Sequence, residues 1–95
     1  MFIVFLTLGE NRDKVPDYLE DHKAWLKRGL DDGVFLLAGT LEPGRGGAIL
    51  AHNLDQAALE ARVSEDPFVA NGVVAYEIHE VSPAFTDERL AFLKS

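Results

Sequence analysis

The sequence contains no cysteine, and this absence excludes several kinds of chemistry at once. Disulfide bridges, zinc sites with thiolate ligands, iron–sulfur clusters and cysteine nucleophiles all need a side chain that the chain lacks. The three histidines also do not occur in the HxH or HExxH spacings that are typical of transition-metal sites. We therefore expect neither a bound metal nor another cofactor.

Positive charge is scarce in this chain. Nine Lys and Arg stand against sixteen Asp and Glu, which gives a formal net charge of −7. A nucleic acid needs a basic surface and an anionic membrane repels an acidic one, so neither is an expected partner. The apolar run at 1–8 is too short to cross a bilayer, and no basic residue precedes it. These features predict a cytoplasmic protein.

The composition is that of a folded domain. With 95 residues, 47% hydrophobic and 26% charged, the chain is too apolar to be disordered and too short for two independent cores. We therefore predict a single domain over 1–95, with a core at 1–81 and a C-terminal tail at 82–95.

Turn signals rich in glycine, proline and asparagine divide the chain into short elements. Runs of β-branched and aromatic residues predict strands at 1–8, 34–41, 47–53 and 72–81. Helices are predicted at 13–32, capped by Asp13, and at 55–63, with a helical turn from 66 and a short helix at 85–93. The order β-α-β-β-α-β predicts a ferredoxin-like α+β fold with an antiparallel four-stranded sheet.

The first two strands are apolar on both faces, although two helices cover only one face of such a sheet. An identical sheet is the simplest cover for the second face. The pattern therefore predicts a homodimer in which two sheets pack face to face as an α+β barrel, and further association of dimers stays open. Alternatively, the tail covers part of that face, or it lies across the partner's sheet with the apolar side chains of Phe85, Leu90, Phe92 and Leu93.

His22 is the most informative residue of the first helix. Apolar side chains at helical spacing form one arc of this helix, and all its charged side chains fall on the opposite arc. His22 lies within the apolar arc, which consists of Val15, Tyr18, Leu19, His22, Trp25, Leu26 and Leu30. Two roles fit a polar ring there: a buried histidine satisfied by a backbone carbonyl, or a general acid or base inside a pocket.

Asp66 is the natural second candidate. It precedes Pro67, and an aspartate followed by proline is typical of a helix start, so the cap alone explains it. An aspartate beside a histidine would also orient the imidazole ring. The spacing in sequence does not show whether Asp66 meets His22.

Three segments of the chain resemble the YCII-related (YciI-like) family. They are DHKAWL at 21–26, LAG at 37–39 and, most specifically, DPFVANGV at 66–73. The resemblance runs from the first strand to about residue 81, and it implies a dimeric α+β barrel. It also implies an active-site pair that carries over to His22 and Asp66, with Phe68 in the pocket wall. The pocket rim falls at Gly39 and Thr40, and Thr40 stands where the family often has proline.

Three functional hypotheses follow. The leading one is a small cofactor-independent enzyme of the lyase, isomerase or hydrolase type, in which the His–Asp pair performs acid–base chemistry. The resemblance implies a small organic substrate of the aromatic or lactone-like kind. The alternatives are a non-catalytic dimeric module that binds a small molecule, and a purely structural or partner-binding dimer. Of the other histidines, His79 shares a strand face with Glu77 in a predicted solvated or interface pair, and His52 is predicted at a sheet rim.

Overall fold

A four-stranded antiparallel sheet forms the base of the fold. The computed structural model describes residues 1–94, so Ser95, the last residue of the predicted tail, lies outside the described residues. The strands lie side by side in the order β2-β3-β1-β4. Their bounds are β1 (Phe2–Leu8), β2 (Phe35–Leu41), β3 (Gly46–Ala51) and β4 (Val74–Glu80). Each neighbouring pair is antiparallel. This arrangement confirms the predicted ferredoxin-like α+β fold.

Three α-helices lie on one face of the sheet: α1 (Val15–Asp31), α2 (Gln56–Ser64) and α3 (Pro67–Ala70). Asp55 caps α2, as its carboxylate accepts a hydrogen bond of 2.8 Å from the backbone N–H of Ala58. The prediction for Asp13 was wrong, because this residue lies inside a short 3₁₀ turn and Lys14 precedes α1 without a side-chain cap. Within residues 1–94, no helix combines the length and apolar character that a bilayer crossing requires.

The core fills the space between the helices and one sheet face. Phe2, Val4 and Leu6 alternate along β1 and are buried there, packed against α1, α2 and α3. Trp25 of α1 is also buried, and its indole N–H donates a hydrogen bond of 3.0 Å to the carbonyl of Arg62. This bond satisfies the polar atom of a core side chain and joins α1 to α2.

Helix α1 lies close to β2 at Gly29. A Cβ atom at this position would lie 2.0 Å from the ring of Phe35, so no larger residue fits without displacing that ring. The contact turns Trp25 and Gly29 toward the sheet. Leu30 therefore lies at the side of the helix and not against the sheet, and it is 45% exposed. The prediction that Leu30 belongs to the inward-facing arc was wrong for this reason.

The second sheet face is apolar along the first strands, as the sequence indicated, while β4 places the exposed Glu77 and His79 on it. Ile3 and Phe5 of β1 are half-buried on it, and so is Leu50 of β3. An irregularity between Phe35 and Leu37 brings Leu37 opposite Leu50, where it is 54% exposed. This surface, which we call the open face, thus carries large apolar side chains that the single chain buries only in part.

The C-terminal segment crosses the end of the sheet near the start of β1. Its 3₁₀ helix covers Glu88–Leu93 and begins after Asp87, so it is shorter than the predicted helix at 85–93. Leu93 is buried, but Phe85, Leu90 and Phe92 are exposed. These three side chains are not covered by their own chain, and their predicted contact with the partner's sheet stays a prediction.

Candidate active site

Helices α1 and α3 bring together two side chains that are 44 positions apart in the sequence. Nδ1 of His22 lies 2.7 Å from Oδ1 of Asp66. Asp66 is also the N-cap of α3, where the same Oδ1 accepts a hydrogen bond of 3.1 Å from the backbone N–H of Phe68. One carboxylate therefore caps a helix and contacts a histidine.

The pair is shielded from solvent. The side chain of Asp66 is fully buried and that of His22 is 12% exposed. Oδ2 of Asp66 has no hydrogen-bond partner within residues 1–94. An ionised carboxylate only accepts hydrogen bonds, so the contact with an ionised Asp66 requires the proton of the ring on Nδ1 of His22. In a neutral ring of this tautomer, the second ring nitrogen, Nε2, carries no proton and can accept a hydrogen bond.

Two aromatic rings fix the orientation of the His22 imidazole. The Phe68 ring stacks on it, with centroids 4.1 Å apart and planes inclined by 14°. The Trp25 ring also stacks with the His22 imidazole, at a centroid distance of 5.9 Å. Stacking and the bond to Asp66 act on different parts of the ring, so together they restrict both its tilt and its rotation.

A cavity of about 450 Å³ opens beside His22, between α1 and the sheet. Sites for small organic molecules typically measure about 300–1,000 Å³ and have mostly apolar walls. The turn between β2 and β3 and the end of β2 form the rim of this cavity. Apolar side chains form its walls, among them Leu6, Leu8, Val15, Leu19, Leu26 and Ile49.

The predicted site residues gather at this cavity. His22, Phe68, Gly39 and Thr40 line it, and Asp66 lies behind His22. The register of β2 with β3 places Thr40 opposite Gly47, on the side of the sheet that faces the helices. The catalytic and binding roles of these five residues stay predictions.

Lys23 also lines the cavity, although the sequence placed it on the outer arc of α1. The long aliphatic stem of lysine allows a residue beside the apolar arc to reach around the helix. Its position directly after His22 was the signal that could have pointed to it. Charge alone does not exclude a residue at the edge of a helix face from a pocket.

The turn between β2 and β3 supplies backbone to the cavity wall. A Cβ atom at Gly46 would lie 1.8 Å from the carbonyl oxygen of Leu6, and the backbone φ is +140°. Only glycine fits both the close approach and this conformation. The sequence indicated a hairpin turn here, which is correct, but gave no sign that the turn borders a site.

The two other histidines lie away from this cavity. Nε2 of His79 is 3.2 Å from Oε2 of Glu77, and both side chains are exposed, as predicted for a solvated pair. His52 contacts the edge of Phe92 near the end of the sheet. Within the described residues, no three His, Asp or Glu side chains come together as a metal site would require.

The fold and this site define a small α+β domain of the ferredoxin-like class with a buried His–Asp contact at an apolar cavity. Residues 1–82 match the model of the YCII-related domain. The chain therefore belongs to the YCII-related family, as its sequence segments indicated.

Among solved structures, the chain is similar to the 5-chloro-2-hydroxyhydroquinone dehydrochlorinase (TftG) of Burkholderia phenoliruptrix AC1100, in complex with 2,5-dihydroxybenzoquinone. The two share 14% sequence identity and a TM-score of 0.69, over 86% of this chain and 94% of that chain. At this identity the likeness establishes the common fold and nothing further. None of the curated proteins matches this chain.

Proposed function

We propose that this protein is an enzyme that moves protons with His22 and Asp66 on a small organic molecule bound in the cavity. The observation that carries the proposal is the 2.7 Å contact between Nδ1 and Oδ1 at the wall of that cavity. Imidazole is the side chain most often used for proton transfer, and a buried carboxylate partner keeps it in one tautomer. Asp66 positions the ring, and Nε2 acts on the substrate.

The chemistry available to such a pair is acid–base chemistry of three kinds. In an elimination, Nε2 takes a proton from the substrate, a new π bond forms, and the leaving group departs with its bonding electrons. In an isomerisation, the protonated ring returns the proton to a different carbon. In a hydrolysis, Nε2 takes a proton from the attacking water and then donates it to the leaving group. The Nδ1–H bond to Asp66 persists through each of these steps.

The proposed substrate is a small aromatic, quinone-like or lactone-like compound. The cavity has mostly apolar walls and a volume suited to one substituted ring. The dehydrochlorinase that shares the fold acts, by its name, on a chlorinated hydroxyhydroquinone, and its structure contains 2,5-dihydroxybenzoquinone. This likeness favours elimination among the three reactions, on the ground of fold alone.

The experiment that tests the proposal measures proton transfer without assuming the product. Hydroxylated quinones, chlorinated and unchlorinated hydroxyhydroquinones and unsaturated lactones are incubated with the protein in heavy water. NMR then records deuterium incorporation, and an ion-selective electrode records chloride release. We expect turnover of at least one compound, reduced about 100- to 10,000-fold by His22→Gln and by Asp66→Asn.

The matched control is His79→Gln, which removes an imidazole from the exposed histidine pair and should leave turnover unchanged. Thermal melting of each variant separates loss of chemistry from loss of fold. Full turnover in both His22→Gln and Asp66→Asn would contradict the proposal.

A non-catalytic binding module is the second candidate, and the preformed apolar cavity favours it. A ligand that binds only the folded state raises the melting temperature, and the rise increases with the ligand concentration. Such a rise with one of these compounds, with no deuterium incorporated and no product formed, would favour this candidate over the enzyme.

We further propose that the protein is a homodimer that pairs the open faces of two sheets. The large apolar side chains that the single chain leaves there, Leu37 above all, support this arrangement. Sheets that pack in this way form an apolar layer between them, and two-fold symmetry makes the surface complementary to itself.

A further inference from the structure

The side chains that line the cavity carry charge of only one sign. The polar ones are His22, Lys23 and Thr40, and the remaining lining residues are apolar or glycine. Within residues 1–94, none of the sixteen Asp and Glu side chains lines this cavity. In a chain of net charge −7, the cavity wall therefore differs in sign from the protein as a whole.

Lys23 is available to a bound molecule. Its side chain lines the cavity and is 60% exposed to solvent. Its carboxylate neighbour is Glu20, with 3.6 Å between Nζ and Oε1. Glu20 is itself 86% exposed, and ion pairs of this kind contribute little stability. A ligand can therefore replace Glu20 as the partner of Lys23 at small cost.

The apolar walls of the cavity strengthen the attraction between Lys23 and a bound anion. Water screens the exposed Lys23 in the free protein, and a ligand that displaces water from between the apolar walls strengthens its own attraction to this charge. Thr40 adds a hydroxyl group at the same rim. A ligand with a flat apolar body and a negatively charged oxygen matches both features: the body contacts Leu19 and Leu26, and the oxygen faces Lys23.

We propose that Lys23 makes this site selective for small organic anions of the enolate or phenolate type, such as an ionised hydroxyquinone. The inference rests on the proposed function for the location of the site, and deepens it by fixing the charge of the substrate. Lys23 is a specificity residue, while His22 handles the proton. An anionic oxygen also suits elimination, because its electron pair assists departure of the leaving group.

Calorimetric titration with two probes tests the inference. The anionic probe is 2,5-dihydroxybenzoquinone, whose hydroxyl groups ionise readily, and the neutral probe is hydroquinone, which has a ring of the same size. Lys23→Gln should weaken binding of the anion about five- to tenfold and leave binding of hydroquinone unchanged. Lys23→Arg keeps the charge and should restore the affinity for the anion to within about twofold of wild type.

Lys27→Gln is the matched control. Lys27 lies one turn further along α1, pairs with Asp31 at 3.0 Å and does not line the cavity. Its loss should affect neither probe. Raising the salt concentration should weaken binding of the anion in the wild type more than in Lys23→Gln.

Three outcomes would overturn the inference. They are an unchanged affinity for the anion in Lys23→Gln, equal weakening of both probes, and no binding of the anion to wild type at millimolar concentration. Failure of the proposed function has a different signature. In that case the preference for the anion depends on Lys23 as expected, but no compound of the panel is turned over and His22→Gln changes nothing in the heavy-water assay.

Discussion

The two histidine–carboxylate pairs of this protein consist of the same chemical groups in different surroundings. His22 and Asp66 are 2.7 Å apart, with side chains 12% and 0% exposed. His79 and Glu77 are 3.2 Å apart, with side chains 56% and 72% exposed. The first pair joins two helices across the core. The second lies along one edge strand, between residues two positions apart.

The difference between these pairs shows what a candidate site needs beyond a pair of groups. Phe68 stacks on the ring of His22 at 4.1 Å, whereas Phe5 meets His79 only by its edge at 5.8 Å. Water competes for both partners of the exposed pair, so its net contribution is about 1 kcal/mol or less. Water does not compete for the buried pair. Removing one of its partners therefore leaves the other without a replacement hydrogen bond. A fixed orientation of the histidine ring and the exclusion of water therefore distinguish the buried pair from the exposed pair.

The largest expected effect is on stability. Asp66→Ala removes the cap of α3 and leaves the N–H of Phe68 and Nδ1 of His22 without their acceptor. We expect the free energy of unfolding to fall by about 3 kcal/mol. Glu77→Ala should change it by about 0.5 kcal/mol or less, since water replaces the exposed carboxylate. Urea denaturation at one fixed protein concentration measures both, and equal losses would break the distinction between the pairs.

An intermediate effect is expected on dimerisation. The proposed dimer interface lies on the same sheet face as the exposed pair. Leu37→Glu places a charge among the apolar side chains of the open face, and should weaken dimerisation at least about tenfold. Leu30→Glu is the control, since Leu30 is exposed to a similar degree on the helical side.

Sedimentation equilibrium measures this change. NMR of the His22 ring nitrogens should show no change in Leu37→Glu, because the buried pair belongs to one chain. A wild-type protein that is monomeric at high concentration would contradict the proposed dimer interface.

The smallest effect concerns Asp87, a third carboxylate that is fully exposed. The hydrogen bond from the Arg89 side chain, and then that from its backbone N–H, lower the pKa of Asp87 from its ordinary value of 3.8. A carboxyl group whose pKa is lower in the folded state stabilises that state above its ordinary pKa. This contribution is lost as the pH falls through the lowered value.

Acidification below about pH 4 should therefore loosen the turn at Glu88–Leu93 while the core persists. The amide chemical shift of Arg89 reports this change, and Asp87→Asn should abolish the pH dependence. A shift that stays constant into strong acid would contradict the assignment.

Local patterns account for what the sequence predicted correctly. The order of the elements, the cap at Asp66 and the inward position of His22 all depend on periodicity and on neighbours within one turn. The resemblance to the YCII-related family then identified the two residues that the structure brings into contact. Periodicity alone left them as separate candidates, because their contact depends on how α1 packs against α3.

Packing accounts for what the sequence did not predict. Leu30 has the right spacing for the apolar arc, but the close contact between Gly29 and Phe35 turns the helix away from it. Lys23 has the wrong spacing for a pocket residue, but its side chain is long enough to reach one. In both cases the outcome depends on distances of a few ångströms between elements, which no pattern within one element records.

The short helix α3 has a consequence for how this protein can change. Asp66 and Phe68, which hold the histidine from two directions, lie two positions apart at its start, whereas Thr40 lies at the rim on a different element. The residues that orient His22 from α3 and the residue Thr40 at the rim are thus encoded in separate segments of the gene. Residues at the end of β2 can therefore vary while 66–68 stays fixed, so this part of the rim can change shape without altering the contacts that orient His22.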